Sequence, residues 1–221
     1  HKKSVINIIG LIIILLGFSM LFSAIVAVIY KEGDLIPILK SSVITLLFGI
    51  FLYLPTRRIP SEIAVRDGFA IVTFGWIFMA IFSALPFWIS GAIPSYTDSF
   101  FEAMSGITTT GATVLGHIEI NEIENLPHGL LFWRSFTQFI GGMGIIVFSI
   151  AMLPLLGIGG VQLFKAEVAG PTADKLTPRV KQTAKYLWGI YVGFVTILAL
   201  ILWIEGMTFF DAICHSFTTI A

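Results

Sequence analysis

The chain has 221 residues, 57% of them hydrophobic and 12% charged, against roughly 25% charged in an ordinary soluble protein. Thirteen Lys and Arg balance thirteen Asp and Glu, so the formal net charge is zero and neither a nucleic-acid binder nor an acidic disordered tail is indicated. The lone Cys214 excludes an internal disulfide framework and any multi-cysteine metal or iron–sulfur site, and a mean hydropathy of +0.95 reads as a membrane protein.

Uncharged runs of about 20 residues mark the bilayer crossings. Residues 5–30 carry no formal charge, too long a run for a signal-peptide core of roughly 7–15 residues, so a retained first helix is predicted. A second, shorter span covers 41–54, extended back past Lys40 to Leu35. The third run, 68–97, contains Pro86 and Pro94, which mark where its helix should end. Between 125 and 164 the only ionisable residues are His128 and Arg134, and 186–204 supplies a fifth span.

Loop charges set the orientation. With five crossings, ten Lys and Arg fall on the side of the N-terminus, in 1–4, 55–67 and 158–185, against Lys31 and Lys40 on the other side. The positive-inside rule therefore places the N-terminus in the cytoplasm. Nine acidic residues, among them Asp98, Glu102 and Asp211, lie on the outer side as a field that concentrates cations.

The segment between the third and fourth spans is the informative one. Residues 97–107 predict a short helix with a Thr or Asp cap and an acidic first turn. At ~1.5 Å per residue it reaches roughly 16 Å, half a hydrocarbon core, so it dips in and returns on the same side. Thr108-Thr109-Thr110-Gly111-Ala112-Thr113-Val114 follows. A threonine-glycine strand after a re-entrant helix suits a cation filter, because backbone carbonyls replace hydration water without adding a fixed charge. Gly111 can turn consecutive carbonyls to one axis, and the carbonyl end of the helix, near Gly106 and Ile107, is expected to face the pore. The plain alternative is a Thr-rich turn that only links two helices.

A repeat weighs against that alternative. Ser99-Phe100-Phe101-Glu102-Ala103 recurs as Thr208-Phe209-Phe210-Asp211-Ala212 at an offset of 109, with Thr109-Thr110 falling on Thr218-Thr219. Repeated hydropathy units are a transporter and channel signature. The second copy is cut at Ala221, so the chain is expected to be the N-terminal part of a longer one.

The run Phe100-Phe101-Glu102-Ala103-Met104-Ser105-Gly106-Ile107-Thr108-Thr109-Thr110-Gly111-Ala112-Thr113-Val114 resembles the first pore loop of the Trk/Ktr/HKT potassium transporter superfamily, most of all the membrane subunit of the bacterial Trk system. Arg66-Asp67-Gly68-Phe69, Gly141-Gly142-Met143-Gly144-Ile145-Ile146-Val147, the Leu153-Pro154 run and the stretch from Asp211 to Ala221 extend the likeness over nearly the whole chain.

The resemblance implies an all-α membrane protein, two leading transmembrane helices followed by potassium-channel-like helix–pore-loop–helix repeats around a pseudo-fourfold pore. Residues 1–54 hold the leading pair, 55–160 the first repeat, and 161–221 a cytoplasmic connector with the first helix and pore helix of a truncated second repeat. It also implies potassium uptake across the bacterial inner membrane through filter carbonyls at Thr109, Thr110 and Gly111, with Ala221 matching Thr109 in the second repeat through a three-residue shift from the 109 offset, and Thr108 and Ala112 supporting. Glycine at 111 favours potassium, where a serine in the plant branch goes with sodium. Implied partners are the potassium ion as transported ligand, the lipid bilayer, a second copy in a homodimer, and a cytosolic nucleotide-binding regulatory subunit (TrkA-like). No cofactor and no enzymatic activity are implied. A sodium-coupled or sodium-permeable symporter of the same superfamily is the alternative. An intramembrane enzyme finds no catalytic dyad in these spans, and a non-transporting assembly subunit is the remaining reading.

Arg134, about two turns into the fourth span, needs a partner or an exit, since an unpaired guanidinium there costs at least ~2.5 kcal/mol. It either pairs with Glu102, bracing the filter from behind, or snorkels to the outer interface. Gly141-Gly142-Met143-Gly144 reads as close helix packing, and His215 with Cys214 as ordinary pore-helix positions. Gly157-Ile158-Gly159-Gly160 lacks the lysine of a phosphate loop. The stretch 165–185, with five basic residues, either contacts anionic lipid or docks the regulator.

Overall fold

A computed structural model describes residues 2–57, 65–116, 122–152 and 176–221. The described residues are helical apart from turns and the loop after residue 107, and they form two compact units, 1–141 and 142–221. The Leu153–Gly160 run and residues 165–175 of the basic connector lie outside them.

In the first unit, α1 (Lys2–Tyr30) and α2 (Leu35–Tyr53) form a hairpin closed by a turn at Lys31 and Gly33, both with positive φ. The helices meet where side chains vanish. A methyl on Gly10 would come within 2.9 Å of the Tyr53 amide nitrogen, and one on Gly49 within 2.8 Å of Ile14. Small residues let two apolar helices approach closely where no hydrophobic effect drives them together. Ser42 fixes the register by donating to the Gly17 carbonyl at 2.8 Å. Lys40 sits inside α2 and is exposed, and a short 3-10 turn, Leu54–Thr56, ends the hairpin.

α3 (Val65–Ser83) breaks at Ala84 and resumes as α4 (Leu85–Ser90), which ends on Gly91 at φ 75°. Pro86 was expected to stop this helix, yet the chain stays helical to Ser90 because Pro86 occupies the first turn of α4, where a missing amide costs nothing. The break frees carbonyls upstream of it, and side chains take them: Tyr96 donates from its hydroxyl to Ile81 O at 3.1 Å, and Trp133 from Nε1 to Ser83 O at 3.0 Å. Trp133 is fully buried, packed with Ile13, Met20, Ile38, Phe87, Ile93 and Leu130 in the unit's core.

The short helix expected after the third span is α5 (Tyr96–Ile107), and α6 (His128–Met152) follows after the loop. Two acids from the α1–α2 turn cap α6. Glu32 accepts the His128 amide at 2.6 Å and lies 2.9 Å from His128 Nδ1, and Tyr30 stacks on the His128 ring at 3.8 Å. Asp34, 3% exposed, accepts the Leu130 amide at 3.1 Å. Carboxylates at a helix start satisfy orphan amides and complement the positive end of the dipole. The His128 amide bond holds the Glu32 carboxyl below its usual range, while burial pushes that of Asp34 up.

The second unit contains α7 (Leu176–Ile204) and α8 (Phe209–Ile220), joined through Gly206 at φ 108°. Among the described residues, four helical segments are long and apolar enough to cross a membrane: Lys2–Tyr30, Leu35–Thr56, Arg66–Ser90 and Gln182–Ile204. α6, at 25 residues, has the length but is not among those four; Arg134, Gln138 and its glycines make it less apolar.

Candidate ion filter

α5 begins two residues before the expected cap would allow. Ser95, not Thr97 or Asp98, is the N-cap: its side chain accepts the Asp98 amide at 3.3 Å, and Asp98 supplies the acidic first turn. Twelve residues at ~1.5 Å give about 18 Å, still far short of a crossing. The helix is clamped against α6 through absent side chains. A methyl on Gly141 would collide with the Ile107 carbonyl oxygen, and one on Gly106 with Thr137 Oγ1.

The expected carbonyl end of α5 is largely consumed. Met104, Ser105 and Gly106 accept the amides of Thr108, Thr110 and Thr109, each at 2.9 Å, and the Ile107 carbonyl backs onto Gly141. Chain reversal is completed by two positive φ values, 54° at Thr109 and 74° at Gly111. Glycine takes that region freely, but a β-branched threonine there is strained and is held by its surroundings.

Thr110, Gly111 and Ala112 are exposed, with Thr108 and Thr109 partly so. Among the described residues none donates to the carbonyls of Thr109, Thr110 or Gly111. Side chains pin the segment on both sides. Thr108 donates from Oγ1 to Met104 O at 2.8 Å and lies 2.8 Å from Thr110 Oγ1, and Ser105 donates from Oγ to Ala112 O at 2.6 Å.

Behind the loop, Arg134 donates from Nε to Glu102 Oε1 at 2.7 Å. The other Glu102 oxygen accepts from Thr113 Oγ1 at 2.8 Å and from the Val114 amide at 3.0 Å. The Glu102 side chain is 1% and that of Arg134 11% exposed, so the guanidinium does not reach the interface. One buried carboxylate thus ties α5, the outgoing loop and α6 together, with its charge and lone pairs satisfied.

Ala221 follows α8 in the second unit. The two short helices correspond by their caps, and the caps set a different register from the one the Phe-Phe match suggests. Thr208 caps α8 by accepting the Asp211 amide at 3.1 Å, as Ser95 accepts that of Asp98. Ser95 and Thr208 stand 113 positions apart, not 109, so Asp211 matches Asp98 and is no counterpart of Glu102. Within the second unit a methyl on Gly142 would lie 2.5 Å from the Tyr191 hydroxyl and 3.3 Å from Ala221 Cα.

Ser95, Ser105, Thr113 and Thr137 were not singled out from the sequence. Isolated serines and threonines in or beside helices are common, so the sequence carries little signal for them.

The TrkH family, described as cation transport proteins, matches residues 34–221. The Trk system potassium uptake protein TrkH of Vibrio parahaemolyticus is 46% identical over 99% of this chain and 44% of its own length. The Escherichia coli protein of the same name is 44% identical over 100% of the chain and 45% of its own. The crystal structure of the potassium transporter TrkH from Vibrio parahaemolyticus superposes with a TM-score of 0.83 at 40% identity, over 98% of this chain and 42% of that one. The chain therefore spans under half the length of the curated relatives it matches. These relatives are transporters rather than enzymes. The chain belongs to the TrkH family of membrane cation transport proteins.

Proposed function

We propose that this chain forms the entry part of a potassium uptake protein and that the carbonyls of Thr109, Thr110 and Gly111 replace part of the hydration shell of the passing ion. The observation that carries this is the loop itself. It leaves a helix too short to cross, reverses through two positive φ values, and leaves those three carbonyls without a hydrogen-bond donor among the described residues. Oxygens that have no donor and are held from behind by side chains suit a bare alkali cation. Two named Trk potassium uptake proteins, 46% and 44% identical, support potassium as the cargo.

In this reading residues 1–54 brace the first repeat, 55–160, and 161–221 open the second, where Ala221, the counterpart of Thr108 in the register set by the caps, leads into the second filter segment. The protein lies in the inner membrane with its N-terminus in the cytoplasm, works as a homodimer, and is gated by a cytosolic nucleotide-binding subunit docking on the basic stretch 165–185. Ten Lys and Arg on the side of the N-terminus support the orientation.

The test is growth of potassium-uptake-deficient cells expressing the full-length protein, with rubidium and sodium as competitors. Restored growth at low potassium, inhibited by rubidium and not by sodium, supports the reading. Growth dependent on sodium points to the symporter of the same superfamily, and no restoration to a non-transporting subunit.

A further inference from the structure

Resting on the filter reading above, we infer that Ser105 is the positioning residue that ends the ion-facing row of carbonyls at Gly111. Ser105 touches both ends of the loop. Its carbonyl accepts the Thr110 amide at 2.9 Å, and its hydroxyl donates to the Ala112 carbonyl at 2.6 Å. The chain between these contacts contains Gly111 at φ 74°, so the two bonds close a small ring around the residue that turns the carbonyls. Ser105 itself is 6% exposed and sits in the last full turn of α5, a rigid platform.

The consequence is a division of labour among four successive carbonyls. Those of Thr109, Thr110 and Gly111 receive no donor among the described residues, whereas that of Ala112 is committed to Ser105. An oxygen already accepting a short hydrogen bond has one of its two lone pairs and part of its electron density committed to the donor, and is a weaker ligand for a cation than its free neighbours. A serine inside a helix ordinarily bonds back to its own helix. Here the hydroxyl reaches seven positions forward instead, removing Ala112 from the row and fixing the spacing of the other three. Selectivity between potassium and sodium depends on the number and spacing of the oxygens presented, so Ser105 acts on selectivity while touching no ion.

The experiment measures the ratio of potassium to sodium uptake by the full-length protein in uptake-deficient cells, with membrane abundance quantified by immunoblot. Ser105→Ala removes one oxygen and no bulk from the buried site. Its ratio is expected to fall about three- to tenfold, the size of one neutral hydrogen bond. Ser105→Thr keeps the hydroxyl and is expected to stay within a factor of two of the parent. Gly111→Ala, which strains the φ 74° position, reports on the filter itself. A Ser105→Ala ratio unchanged while Gly111→Ala alters it overturns the role of Ser105 and leaves the filter reading standing. Equal losses in the Ala and Thr variants also overturn it, because packing and not the hydroxyl would then be at issue. If neither Ser105→Ala nor Gly111→Ala moves the ratio, both readings fall.

Discussion

Glu102 and Arg134 form a buried ion pair, Nε to Oε1 at 2.7 Å, that joins α5 to α6. The second oxygen of Glu102 holds Thr113 and the amide of Val114, so the same carboxylate fixes the path of the chain after Ala112. A buried guanidinium is tolerable here because it is paired, and the buried Glu102 carboxylate because three donors surround it.

Removing one partner leaves the other charge buried, which costs about 3–5 kcal/mol. Glu102→Gln and Arg134→Gln are each expected to lower the Tm of the purified full-length protein by several degrees and to cut potassium uptake at least tenfold. The exchange Glu102→Arg with Arg134→Glu is expected to recover part of both losses. A double variant no better than the worse single one contradicts a direct pairing.

Gly141 of α6 is expected to tolerate no side chain. A methyl there collides with the Ile107 carbonyl, and backbone cannot move aside as a side-chain tip can. Gly141→Ala should destabilise by about 1–3 kcal/mol and displace the end of α5. Gly189→Ala, on a part of α7 with nothing within 4 Å, should leave Tm unchanged or raise it slightly. Thermal melts of the two variants compare them directly, and equal effects would contradict the helix contact.

The two acids capping α6 are expected to respond oppositely to pH. The Glu32 carboxyl lies below its ordinary value of 4.5, so its contribution is present above that pH and is lost as pH falls through its lower folded value. Burial raises the Asp34 carboxyl above its ordinary 3.8, with Glu32 adding a smaller repulsion. Its contribution is complete below 3.8 and is lost as pH rises through the raised folded value. Asp34→Asn should therefore gain Tm relative to the parent as pH rises from about 4 to 7, whereas Glu32→Gln should gain relative Tm as pH falls below 4.5. Parallel Tm curves for parent and variants would contradict both assignments.

The sequence made the short helix legible because its length, acidic first turn and following Thr-Thr-Thr-Gly run are all local. The α1–α2 hairpin was legible in the same way, from apolar length alone. What escaped were contacts set by tertiary structure. Asp34 reaches Leu130 across 96 positions, and Tyr96 and Trp133 take carbonyls freed by a break at Ala84. The positive φ of Thr109 runs against the preference of a β-branched residue, so only the surrounding hydrogen bonds explain it. The repeat was visible, but identical Phe pairs pulled its register to 109, whereas capping chemistry at Ser95 and Thr208 sets 113. Aromatic pairs follow packing, while caps follow the backbone's unpaired amides, and the caps are the better ruler.

The central claim is that main-chain oxygens at Thr109, Thr110 and Gly111 hold a dehydrated alkali ion, and the most direct measurement is rubidium anomalous diffraction from crystals of the full-length protein. The account predicts a rubidium peak within about 3 Å of those three carbonyls, lost when potassium is restored in excess. Rubidium found elsewhere along the ion path with none at these oxygens would contradict it.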